Sequence, residues 1–335
     1  MPQELLTANY RIGAIQTTVS ATSKWLLDGV DEIAALHRTR KSSVPPDIRF
    51  FVTDNEQDTI SPEPLDKQAR PVFQCRFFSF WEHDNCRWLE LPGQALGWCD
   101  LDDCFAVASV NPDIDSPWLI GHHLFFPLWV QLLKQTELYH IHAACVSRDN
   151  KGLLLPGASG CGKTTLALNM VRSGYDFLSD DTVFLSRRDE EHIVTGLAEQ
   201  INVGADTIAQ FQELDFLEGE SRREPRPKLS FQISDVYQDC RSDSDIVPSV
   251  IVFPQFTGDF RTRIKPMTRA DALTSIMHYS LFNADPYSIT EQFKILADLV
   301  EKVPCYRADI GIDSEESVFR LGQLLEETDS ERARA

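Results

Sequence analysis

Over roughly the first 115 residues, apolar and polar positions alternate in short runs. "DIRFFVTD", "PVFQCRFFSFWE", "RWLELPG" and "CFAVASV" carry aromatic and β-branched residues between polar or turn clusters, the pattern of strands. "EQDTISPEPLDKQARP" between the first two is a polar loop. The most apolar stretch, "PWLIGHHLFFPLWVQLL", holds two prolines and two histidines and predicts a buried helix over 119–135, entered or broken near Pro127. "LYHIHAACVS", "RDNKG" and "LLLPG" then read as strand, turn and strand, a hairpin.

The period changes after the hairpin. Residues 164–173 follow a helical pattern and Gly174 is placed to cap it. "YDFLSD", "PSVIVFPQF" and "VPCYRADIG" are strands. "TRADALTSIMHYSL" and "SITEQFKILADLVEKV" are helices opened by capping-box spacings, Thr268 with Asp271 and Ser288 with Glu291. "DSEESVFRLGQLLEE" is a last helix, and residues 329–335 a frayed tail. A mobile polar loop is expected around 218–227. The expected division is a β-rich region over 1–117 and an α/β domain over 118–328.

Between the hairpin and the following helix stands Gly157-Ala158-Ser159-Gly160-Cys161-Gly162-Lys163-Thr164, a full match to GxxxxGK[ST]. Glycines let the backbone turn its N–H groups inward onto phosphate oxygens, and the helix N-terminus adds partial positive charge. Lys163 is expected on the β- and γ-phosphates of ATP and Thr164 on Mg2+. Asp180 and Asp181 end the next strand, and a parallel neighbour would bring them beside the loop. One carboxylate can hold the metal while the other takes a proton from an incoming hydroxyl. His142, in the strand before the loop, should come close as well.

Composition narrows the partners. The chain has 335 residues, 42% of them hydrophobic, enough for one large domain or two modest ones. Its net charge of -19 argues against nucleic acid and anionic lipid. No stretch is long and apolar enough for a membrane span. Eight cysteines without a CxxC pair, behind a start that lacks a secretory pattern, suggest a reducing cytoplasm and no zinc site. Two basic groups stand out in this acidic chain. Arg222, Arg223, Arg226 and Lys228 are candidates for a phosphate-contacting loop, or neutralise nearby glutamates. Arg261, Arg263 and Lys265 alternate along an expected strand face.

"HAACVSRDNKGLLLPGASGCGKTTLALNMVRSGYDFLSDD" resembles the catalytic domain of HPr kinase/phosphorylase and its relatives, in which a histidine strand, a P-loop and paired aspartates follow one another. The close resemblance covers 138–185; a looser one, through "PSVIVFP", "MTRADALTSIM" and "VPCYRADIGIDSEESVFRLGQLL", reaches about residue 325. It implies the fold shared with ATP-type phosphoenolpyruvate carboxykinase. It also implies an ATP- and Mg2+-dependent kinase, with Asp180 as general base, Asp181 and Thr164 as the metal site and His142 orienting the base. Lys163 and residues 157–165, ending in Thr165, would hold the nucleotide. HPr kinases assemble as hexamers, so a homo-oligomer is implied.

This chain departs from that pattern in two places. Thr165 stands where those kinases have glutamate, and "LAEQINVGADTIAQFQELDF" shows nothing like their "EIRGLG" signature. The N-terminal half resembles instead a related group that includes kinases of ribosomally made peptides such as lasso peptides. The acceptor classes open at this point are a peptide or small protein, or a small metabolite. A nucleotide-gated regulatory protein with little transfer is the remaining reading.

Overall fold

The structure, a computed structural model, describes residues 5–40, 43–54, 69–114, 116–197, 200–217, 229–238, 240, 245–280 and 286–332. It is a mixed α/β protein of two compact units, Met1–Tyr139 with Phe282–Gln292, and His140–Leu281 with Phe293–Ala335. The expected division at 117/118 differs from this one: the apolar helix belongs to the first unit.

Among the described residues, the first unit carries a nine-stranded sheet in the order β3-β1-β2-β4-β9-β8-β7-β6-β5. Its strands are β1 (Leu6–Ile12), β2 (Ile15–Ala21), β3 (Arg38–Thr39), β4 (Ile48–Thr53), β5 (Arg70–Gln74), β6 (Ser79–His83), β7 (Cys86–Leu91), β8 (Ala95–Asp100) and β9 (Phe105–Val110). Helix α1 (Lys24–Ala34), which strand-like patterning had not suggested, packs on β1 and β2. The apolar helix is three pieces: α2 (Pro117–Leu119), a π-helical segment (Ile120–Phe125) and α3 (Phe126–Gln135). Proline at the start of α3 lacks the N–H that a continuous α-helix would need there, which explains the change of winding. The buried Trp129 indole donates to Thr17 Oγ1 at 2.9 Å and ties α3 to β2.

The second unit is built on β10 (Tyr139–Arg148), β11 (Lys151–Pro156), β12 (Asp176–Ser179), β13 (Thr182–Arg188), β14 (Glu191–Gly196), β15 (Ile201–Val203), β16 (Leu229–Phe231), β17 (Val247–Phe256), β18 (Arg263–Pro266) and β19 (Cys305–Ile310). Its main sheet runs β14-β13-β10-β11-β17-β19-β18, with β12 also on β10, while β15 and β16 pair separately. β11, β17 and β19 are parallel, so their carboxyl ends share one edge. The expected hairpin is present: β10 and β11 are antiparallel around Asp149 and Asn150, both at positive φ, as a tight right-twisting turn demands. β12 runs in the direction of β11, but β10 lies between them. It is therefore not the adjacent strand that the sequence suggested.

The helices are α4 (Lys163–Arg172), α5 (Ala205–Ile208), α6 (Ile233–Val236), α7 (Arg269–Met277), α8 (Pro286–Lys302) and α9 (Ser314–Arg332). Alternation distributes the strands between two cores. Leu153, Leu155, Val250 and Val252 face the α4/α9 side, while Leu154, Ile251 and Phe253 face α7 and α8. Burial on both faces explains why β11 and β17 read as continuous apolar runs. α8 begins at Pro286, before the expected Ser288, and α9 runs on to Arg332 through much of the tail expected to fray.

Helix α4 is braced at its far end. Arg172 donates twice to Glu213, at 2.8 and 2.7 Å, Tyr237 donates to the same carboxylate at 2.5 Å, and the guanidinium lies over the Phe211 ring. The Arg172 hydrogen bonds hold Glu213 at a pKa of about 2. Its pKa is depressed, so its contribution is present above the ordinary glutamate value of about 4.3 and fades as pH falls toward 2. Urea unfolding should show Glu213→Gln destabilised by about 1 kcal/mol at pH 7, with the difference from wild type shrinking as pH drops from 5 to 3.

Candidate active site

β11 delivers the glycine loop to the carboxyl edge of the sheet. Gly160 and Gly162 take φ of 82° and 101°, which side chains disfavour, and a Cβ on Gly157 would meet Cys161 Sγ at 2.6 Å. The loop is anchored by its own turn, Cys161 N–H to Ala158 O at 3.3 Å, and by Phe256 N–H of β17 to Cys161 O at 3.2 Å. Lys163 is 5% exposed. Its ammonium donates to Gly157 O at 2.7 Å and Ala158 O at 3.1 Å, and lies 3.0 Å from His142 Nε2.

The two aspartates diverge. Ser179, at the end of β12, accepts from the N–H groups of Asp181 (3.4 Å) and Thr182 (3.1 Å) and donates to Leu197 O. That turn sends Asp180 inward, 7% exposed, where Thr164 Oγ1 donates to its Oδ2 at 3.1 Å. Asp181 is more open, its side chain 59% exposed. Its backbone O accepts from Ala143 N–H at 3.0 Å, and its Oδ1 lies 3.3 Å from His142 Nδ1. His142 Nδ1 is also 3.0 Å from Asp181 O, and its own N–H is fixed to Tyr279 O at 2.6 Å.

The loop, Lys163, Thr164, both aspartates and His142 therefore converge, but in a different pairing. The expectation joined Thr164 to Asp181; the structure joins Thr164 to Asp180 and His142 to Asp181. The physical reason is the Ser179 turn, which points consecutive side chains to opposite sides. Thr165 faces Thr207 of α5, Oγ1 to Oγ1 at 3.0 Å. His140 is buried and packs edge-on to Phe184. Arg222, Arg223, Arg226 and Lys228, with the loop expected over 218–227, lie outside the described residues. Sequence reasoning missed Ser179, Tyr279 and Thr207. Only Ser179 left a signal, its place directly before the paired aspartates.

The electrostatics follow the geometry. Burial pushes the Asp181 pKa up, but the His142 hydrogen bond and the His142 and Lys163 charges outweigh it, so the carboxyl sits below its ordinary value. The His142 ring thus stands between the Lys163 ammonium at Nε2 and Asp181 at Nδ1. No group of three metal-ligating side chains stands together among the described residues. Thr164 Oγ1 and the Asp180 carboxylate stand together and are the kind of oxygen donors that a hard cation such as Mg2+ takes.

A glycine loop of this form, ending a strand and opening a helix, has the pattern of a phosphate-binding loop. Residues 133–205 match the family described as the HPr Serine kinase C-terminal domain. The HPr kinase/phosphorylase of Limosilactobacillus reuteri is 41% identical over 61 residues, 18% of this chain and 19% of that protein. Its counterpart in Chlorobium phaeobacteroides is 39% identical over 62 residues, again 18% and 19%. The Hpr(Ser) kinase/phosphatase of Coxiella burnetii overlaps 58% of this chain and 96% of its own length, with a TM-score of 0.31 and 13% identity. Residues 133–205 are thus related to the HPr kinase C-terminal domain, and the match spans about a fifth of the curated relatives' length.

His142→Ala removes the main counterweight to burial at Asp181. A carboxylate titration by NMR should show the Asp181 pKa rising in that variant relative to wild type.

Proposed function

We propose that this protein is an ATP-dependent kinase that transfers the γ-phosphoryl group to a hydroxyl of a peptide or small protein. The observation that carries the reading is the division of the two carboxylates between different partners, Asp180 on Thr164 and Asp181 on His142. The glycine loop and Lys163 hold the triphosphate. On binding, phosphate oxygens replace the loop carbonyls as acceptors for the Lys163 ammonium. Thr164 and Asp180 would hold Mg2+, which when bound neutralises charge on the β- and γ-phosphates.

Asp181 then faces the acceptor. His142 orients its carboxylate, and Asp181 accepts a hydrogen bond from the acceptor hydroxyl and takes its proton as the bond to phosphorus forms. A depressed pKa makes Asp181 a weak base. A loose phosphoryl-transfer transition state needs little prior deprotonation, so orientation of the hydroxyl is its main contribution. This assignment reverses the roles that resemblance implied for Asp180 and Asp181.

The curated relatives are named for HPr. Thr165 and the missing glycine signature support a different acceptor for this chain. The test is γ-labelled ATP with purified protein and host lysate split into peptide-or-protein and metabolite fractions. Label should enter the peptide-or-protein fraction. Asp181→Asn should lower the rate by roughly a hundred- to ten-thousand-fold while MgATP still binds. Label entering only metabolites would overturn the acceptor class, and full activity in Asp181→Asn would overturn the base.

A further inference from the structure

Beyond the phosphate loop, the same edge of the sheet carries a cavity of about 490 Å³ lined by Phe260, Arg261, Arg263, Lys265 and Arg320 among others, with Asp259 its one carboxylate. In a chain of net charge -19 this is a local reversal of sign. Arg263 is paired with Asp259 at 3.1 Å and Arg320 with Glu316 at 2.9 Å. Neither Arg261 nor Lys265 makes an ion pair within 4 Å among the described residues, though the Arg261 charge acts on Glu316. Lys265 also stands directly across from Arg307 of β19, a like-charge pair that costs stability until an anion offsets it.

The wall is preformed. The segment after β17 is pinned by Thr257 N–H to Ile310 O at 3.1 Å, Ile312 N–H to Asp259 O at 2.8 Å and Thr262 N–H to Glu316 Oε2 at 3.0 Å. The buried Thr262 hydroxyl accepts from Gly311 N–H at 2.9 Å and meets Ser317 Oγ at 2.6 Å. Phe260 and Ile312 nevertheless stay open on this wall, 71% and 63% exposed. β18 closes the sheet and, among the described residues, pairs only with β19. It therefore presents cations at alternate residues beside a free strand edge.

We propose that this strip docks an extended acidic segment of the acceptor, its carboxylates at alternate positions meeting Arg261, Arg263 and Lys265 and an apolar side chain resting on Phe260. The proposal names the acceptor class for the kinase reading and rests on that reading for its purpose. Basic residues on an edge strand keep like strands from pairing, and the same charges admit an acidic one. β18 stands three strands from β11, about 14 Å. The acceptor faces Asp181, after β12, which lies two strands further on, beyond β10, so the full span is about 24 Å. Extended chain covers it in about seven residues, and the acidic stretch lies about seven residues from the reacting hydroxyl.

The test uses the full chain and fluorescein-labelled peptides in anisotropy titrations at low salt. One peptide carries glutamate at alternate positions, about seven residues from a serine, and its control carries glutamine instead. The glutamate peptide should bind wild type about tenfold more tightly than it binds an Arg261→Ser/Lys265→Ser variant, the sum of two or three partly exposed charge contacts. It should also bind more tightly than the glutamine peptide, and added salt should erase both differences. Equal binding of the two peptides, or equal binding to the two proteins, overturns the proposal. So does displacement of the glutamate peptide by inorganic phosphate at equal concentration, which would make the cavity a small-anion site. MgATP affinity, measured in the same samples, should be the same in both proteins. If neither binds MgATP while the acidic peptide still discriminates, the kinase reading falls and the docking strip stands.

Discussion

A lysine ammonium withdrawn from water must be met by acceptors, and Lys163 is met by Gly157 O, Ala158 O and His142 Nε2. These contacts join the loop after β11 to the strand before it. His142 in turn reaches Asp181 and is held through its backbone to Tyr279. One buried charge thus fixes the positions of the loop, β10 and the turn after β12. In the proposed reading, phosphate oxygens take the place of the two loop carbonyls on the ammonium, which has three protons to share.

The fold serves that arrangement by directing strand ends. β11, β17 and β19 are parallel and finish at one edge, where open α/β sheets bind their ligands. β12 lies across β10 yet runs the same way, so its aspartates arrive at that edge too. Arg172, Glu213 and Tyr237 hold the other end of α4, so the helix that the glycine loop opens is fixed at both ends.

Much of this was legible in the sequence. The β10–β11 hairpin, the glycine loop, the strand ending in two aspartates and the apolar strands at 153–156 and 248–256 follow from period, turn chemistry and motif. The helix over 24–34 was missed although Ser23 stands at its N-cap position, because Gly29 inside it weakens the helical signal next to the strand-like runs around it. The pairing of Thr164 with Asp180 was missed for a different reason. Which of two consecutive carboxylates turns inward is decided by the Ser179 hydroxyl bridging to Leu197 O, a contact eighteen residues away that no local pattern reports. The basic alternation at 261–265 was visible, but only the fold shows that it lines a cavity on the edge shared with the phosphate loop.

The central claim is that Asp180 belongs to the metal and Asp181 to the proton. Calorimetric titration of ATP with and without Mg2+ into wild type, Asp180→Asn and Asp181→Asn tests it directly. The account predicts that removing Mg2+ weakens ATP binding in wild type and Asp181→Asn, and changes it little in Asp180→Asn. The opposite result, metal dependence lost in Asp181→Asn and kept in Asp180→Asn, would contradict it.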